Sequence, residues 1–166
     1  MIEFVFTIDY EIYGNGTGLL KDLVYEPAKR LRELFRTWNV RFVAFVEVAE
    51  LEKIEIFGAD PAIDLVKRQV LEFYRDGCEI GLHLHPQWCN ARYEKGAWIL
   101  DYREYNLCTL PRNRISEVVD GSLAYLPSPT TTNSWKFRVP PSRSGFVSCS
   151  AKSASILASE RRGNLC

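Results

Sequence analysis

The sequence predicts an α/β fold in which parallel strands build a sheet or barrel. Short apolar runs alternate with segments of helical period in the order strand, helix, strand, helix, strand, the pattern of successive βα units. Two polar clusters, Asp9-Tyr10-Glu11 and His83-Leu84-His85, stand at the ends of the first and third apolar runs, where parallel folds collect their active groups. Hydrophobic residues are 46% of the 166 and charged residues 25%, which suits one domain with one substantial core.

The first strand is read over residues 2–8, a run rich in Phe, Val and Ile that leads into the glycine-rich Tyr13-Gly14-Asn15-Gly16-Thr17-Gly18. From Glu26-Pro27 onward, Leu31, Leu34, Phe35 and Trp38 recur at helical spacing, with proline allowed in the first turn, and predict one amphipathic helix. Residues 41–48 form the second strand. Asp60-Pro61 then caps a helix that carries Ile63, Val66, Val70 and Phe73 on one face and ends at Gly77. The third strand, residues 78–85, is stopped by Pro86; Ile80, Leu82 and Leu84 fall on one face and Gly81, His83 and His85 on the other. After Pro111 a further helix bears Ile115, Val118, Val119, Leu123 and Leu126. Residues 1–126 are thus read as the domain. Residues 127–166, dominated by Ser, Thr, Pro and Arg, are expected to be weakly structured or aberrant.

Lys plus Arg and Asp plus Glu are equal at 21 each, so no net field favours a nucleic acid or an anionic membrane. The residues before Asp9 are too few and too early charged for a signal peptide, and no later run is long enough for a membrane span. Five cysteines without a CxxC pair predict neither a disulfide framework nor a cysteine zinc cluster, and the chain is expected to be cytoplasmic with reduced thiols.

Side chains two apart on a strand share a face, so adjacent strands can bring Asp9, Glu11, His83 and His85 to one point. Two imidazoles and a carboxylate form an open ligand set for a divalent metal, zinc being the best match. Such a site holds a water whose pKa falls to about 7 and leaves a second carboxylate to take its proton. The plainer alternatives are polar residues at a strand rim for the histidines and a solvated turn for the acids. Cys89, four residues after His85, offers a different His, His, Cys zinc site of structural kind. Tyr13, Trp88, Trp98 and Tyr102 are aromatics able to stack on sugar rings or to pack; Trp88 and Tyr13 are the candidate substrate contacts.

Phe6-Thr7-Ile8-Asp9-Tyr10-Glu11 resembles the first motif of the NodB-like polysaccharide deacetylases, and Gly77-Cys78-Glu79-Ile80-Gly81-Leu82-His83 resembles the approach to their second motif. Val43-Ala44-Phe45-Val46 lies between them like the family's second buried strand. The resemblance spans about residues 2 to 88 and implies an irregular (β/α) barrel, incomplete at its C-terminal end in a chain of this length. It implies Asp9 as base and Glu11, His83 and His85 as metal ligands, the reverse assignment of the two acids being the alternative. Arg138, in Phe137-Arg138-Val139-Pro140, is similar to an arginine that orients the catalytic aspartate in the family. Two departures stand out. Position 87, where the family places its second metal histidine, is Gln87, and with only two histidines none is left to protonate the leaving amine.

The expected activity is therefore metal-dependent removal of an acetyl or similar acyl group from an amino sugar or polysaccharide. The alternatives are a truncated or non-catalytic member that binds metal or sugar, and a hydrolase of another substrate class on the same barrel. Against phosphoesters, the chain has no Gly-Lys-Ser/Thr loop and no basic cluster beside the acids.

Overall fold

The computed structural model describes residues 4–13 and 16–126, together with the backbone of two strands at 145–149 and 154–158. It is a mixed α/β structure. The strands β1 (Phe6–Tyr10), β2 (Phe42–Glu47) and β3 (Glu79–His83) pair in parallel, with α1 (Glu26–Thr37), α2 (Val48–Phe57) and α3 (Ile63–Arg75) in the connections. A short hairpin follows, β4 (Arg92–Glu94) and β5 (Ala97–Ile99), then α4 (Arg112–Tyr125). The strands β6 (Gly145–Cys149) and β7 (Ala154–Ala158) extend the sheet, whose order is β1-β2-β3-β6-β7, with β6 parallel to β3 and β7 antiparallel to β6. The sheet does not close into a barrel among the described residues.

Register decides which side chains meet. Ile8 pairs with Ala44 and Ala44 with Ile80, while Tyr10 pairs with Val46 and Val46 with Leu82. These rows face α3, whose Val66, Val70 and Phe73 are fully buried as the sequence predicts. Tyr10 and Phe42 both meet the Phe73 ring edge to face. The Tyr10 hydroxyl donates to Gln69 Oε1 at 2.6 Å, and Gln69 Nε2 donates to the Tyr25 carbonyl. Replacing Tyr10 by Phe leaves that glutamine oxygen buried without its donor. The expected cost is about 1–3 kcal/mol, read as a lower urea midpoint at unchanged slope.

Several boundaries differ from the sequence reading. The strand β1 starts at Phe6 and runs through Asp9 to Tyr10, and β2 stops at Glu47 because Val48 already opens a helix. That helix, α2, is not anticipated by the strand-focused reading, although Ala49-Glu50-Leu51-Glu52-Lys53-Ile54 are good helix formers and Val48, Leu51 and Ile54 are buried. The helix α1 has the predicted proline in its first turn, but Leu34 and Trp38 of the expected stripe are exposed. The contact with the sheet runs through Phe35, which touches Phe6 and Phe42. Helical spacing fixes a stripe but not how much of it the neighbouring layer covers. Gly77 ends α3 as predicted. At φ 82° it adopts a left-handed conformation that lets the Cys78 amide return to the Phe73 carbonyl. The helix α4 buries Val118, with Ser122 beside it and Leu126 at its end.

Candidate metal centre

On the other face of the sheet, Asp9 pairs with Phe45 and Phe45 with Gly81. The next row up begins with Glu47 opposite His83, and Glu11 follows β1 at the same level. The sheet therefore stacks its polar groups at the C-terminal strand ends. The strand β3 ends at His83, two residues short of the sequence expectation, and His85, extended just before the turn that Pro86 opens, stands beside His83.

The result is a cluster of Glu11, Glu47, His83 and His85 whose ligating atoms all lie within 4.8 Å of one another. Glu11 Oε2 is 2.7 Å from His85 Nε2 and 3.3 Å from His83 Nε2, and the two Nε2 atoms are 3.1 Å apart. Ligands bound at about 2.0–2.2 Å to one ion stand roughly 3.0–3.6 Å from each other, so these separations suit a shared divalent cation. The side chains of Glu11 and His85 are 18% and 14% exposed while His83 is fully buried, so the centre has one open side.

Glu47 was not among the residues singled out from the sequence. It is completely buried and caps α2: its Oε1 accepts from the Ala49 amide at 3.2 Å and the Glu50 amide at 3.4 Å. Its Oε2 is buried and has no hydrogen-bond partner of ordinary geometry. The sequence signal was available, an acid closing the otherwise apolar Phe42-Val43-Ala44-Phe45-Val46, but it lacked a neighbour in the chain to draw attention to it. Glu50 lies behind. Its Oε2 accepts from the Ile12 amide at 2.9 Å and so pins the segment that carries Glu11.

Burial opposes the charge on each of these acids. For Glu11, hydrogen bonds and charge from His83 and His85 overcome burial and bring the carboxyl down to about 2. Burial, aided by the charges of Glu50 and Glu11, holds the Glu47 carboxyl well above its ordinary range, against partial relief from the Glu50 and His85 amides. Burial likewise pushes Glu50 up to about 8, with the Ile12 amide pulling the other way. Beyond burial, which is the largest influence on each, the groups that act on them are the histidines, backbone amides and one another. Three carboxyls gathered without a lysine or arginine among those influences form an environment that a divalent cation would relieve. The donor set, two imidazoles with carboxylates, also suits such a metal.

Of the residues expected at the site, Glu11, His83 and His85 come together. Asp9 is exposed, one row below, and lies outside the four-residue cluster. Trp88 is buried, packed edge to face on Trp98 and so close to Gly16 that a Cβ there would meet its ring at 2.5 Å. Gly16, at φ 68°, is what allows the loop to cross the indole. Tyr13 is 91% exposed and open to a ligand, whereas Trp88 has its ring taken up in packing. Cys89 stands outside the cluster. Its thiol is pushed up to about 11, first by burial and then by the Glu47 charge, which disfavours the thiolate that zinc requires. Arg138 lies outside the described residues. No helix among the described residues is long and apolar enough to cross a membrane. In comparison with known proteins, the chain matches no family model, no curated protein and no solved structure.

Proposed function

We propose that the chain is the front of a NodB-like (β/α) barrel acting as a metal-dependent hydrolase that removes an acyl group, acetyl above all, from an amino sugar or polysaccharide. The observation that carries this reading is the convergence of Glu11, His83 and His85 at the C-terminal ends of two separate strands. In this reading those three side chains hold a divalent metal, zinc in the first instance. When bound, the metal supplies Lewis acidity that polarises the acyl carbonyl and lowers the pKa of water to about 7. Asp9, on the same sheet face and open to solvent, accepts the proton of the attacking water. Tyr13 offers an exposed aromatic face for a sugar ring, and Glu50 positions Glu11 through the Ile12 amide.

The test is acetate release from N-acetylated chitooligosaccharides and O-acetylated sugars by the purified chain with zinc, manganese or cobalt. Release is expected to require added metal, to stop with chelator, and to vanish in folded Asp9→Asn and Glu11→Ala chains. If the metal-loaded, folded wild type releases no acetate from any of them, the deacetylase reading fails. A second reading, a domain that binds metal or sugar without turnover, is favoured by two observations. Asp9 stands outside the cluster, and the sequence has no third histidine to protonate a leaving amine.

A further inference from the structure

We infer that Glu47 is a fourth protein ligand, binding through Oε2, so that the centre presents two imidazole nitrogens and two carboxylate oxygens. This rests on the metal-centre reading above and revises its metal. With four positions supplied by protein, a four-coordinate ion such as zinc keeps none for water. An ion accepting six ligands keeps two, and the two carboxylates favour a harder ion of that kind, divalent manganese above all.

Several independent features point to this role. Register places Glu47 directly opposite His83 on β3, and Glu11 follows Tyr10, whose partner Val46 precedes Glu47. Its two oxygens are used unequally, Oε1 by the Ala49 and Glu50 amides and Oε2, equally buried, by no hydrogen-bond donor of ordinary geometry. Burying a carboxyl oxygen without a well-formed hydrogen bond is costly, the His85 amide gives it only partial relief, and a metal bond would supply the rest. Capping alone does not explain the residue, since Ser, Asp and Asn cap helices better and with a shorter reach. A glutamate at this position can hold the helix end with one oxygen and still have the other for the cluster, to which it offers one carboxylate oxygen.

The experiment measures manganese, cobalt and zinc binding by calorimetry on the metal-free full chain, with circular dichroism to check folding. The wild type is compared with Glu47→Gln, Glu47→Asp and His83→Ala. Glu47→Asp guards against loss of folding, because aspartate caps the helix well but withdraws its carboxylate from the centre. Loss of a group outside the metal shell costs about 10–100-fold in affinity. Glu47→Gln and Glu47→Asp are expected to weaken manganese binding by more than about 100-fold. The cobalt-loaded wild type is expected to show the weak visible absorption of six-coordination. A smaller loss in the folded Glu47→Asp chain overturns the inference. If His83→Ala still abolishes binding in that case, the metal-centre reading survives without Glu47. Intense four-coordinate cobalt bands overturn the six-ligand assignment, and a folded wild type that takes up no metal removes both readings.

Discussion

Metal added to the metal-free chain raises its unfolding temperature by roughly 10 °C at a thousandfold excess over Kd, and His83→Ala and Glu11→Ala abolish the rise. A ligand bound only by the folded state stabilises by about 4 kcal/mol at that excess. For a chain of this size each kcal/mol moves the midpoint by about 2–4 °C. The effect is large because the site is assembled from residues distant in sequence. Glu11 follows β1, Glu47 closes β2 and His83 closes β3, so the unfolded chain offers only the local His83-Leu84-His85 pair. Differential scanning fluorimetry with and without chelator checks this. An unchanged rise in folded His83→Ala would move the metal to another part of the protein.

The metal-free chain loses stability as pH rises from about 4.5 to about 8, and Glu50→Gln flattens that decline. Glu50 has its carboxyl pushed up to about 8 from an ordinary 4.5. Across that window the unfolded chain has released the proton while the folded chain keeps it, so the stability present below 4.5 is lost as pH passes the folded value. At 1.36 kcal/mol per unit the full span is worth at most roughly 5 kcal/mol. Glu47 moves in the same direction as Glu50. Glu11 acts oppositely: held down at about 2, it contributes stability above 4.5 that disappears as pH falls toward that value. The combined contribution of these three glutamates to the metal-free protein is therefore expected to be greatest near pH 4–5, at the ordinary carboxylate value and below the raised ones. Urea midpoints across pH 3–9 for both chains decide it. A Glu50→Gln chain as pH-sensitive as the wild type would remove Glu50 as the cause. Glutamine retains an oxygen for the Ile12 amide, so positioning of Glu11 survives the change.

The alternation of apolar runs made the three parallel strands and the buried face of α3 legible, because Val66, Val70 and Phe73 follow a helical stripe that the sheet fully covers. The helix α2 was harder to read, since Phe42 to Val48 is continuously apolar but for Glu47 and hides the point where strand becomes helix. The hairpin β4–β5 rests on the Lys95-Gly96 turn, a weak signal between short strands. Within 127–166, the short β-prone runs Phe146-Val147 and Ile156-Leu157 are diluted by serine-rich flanks; strands β6 and β7 include them. At the site, alternation within one strand was enough to pair His83 with His85. Glu47 required knowledge of register between strands, which no local pattern contains.

The outer position of β1 bears on how the protein behaves in bulk. Among the described residues β1 pairs only with β2, while Phe4 and Val5 before it and Phe6 within it are 81%, 75% and 47% exposed. An apolar strand whose outer backbone groups lack a neighbour is a template for adding further strands. Concentrated preparations would begin to aggregate at this margin, so a lysine introduced at position 4 or 5 is the place to start in improving solubility.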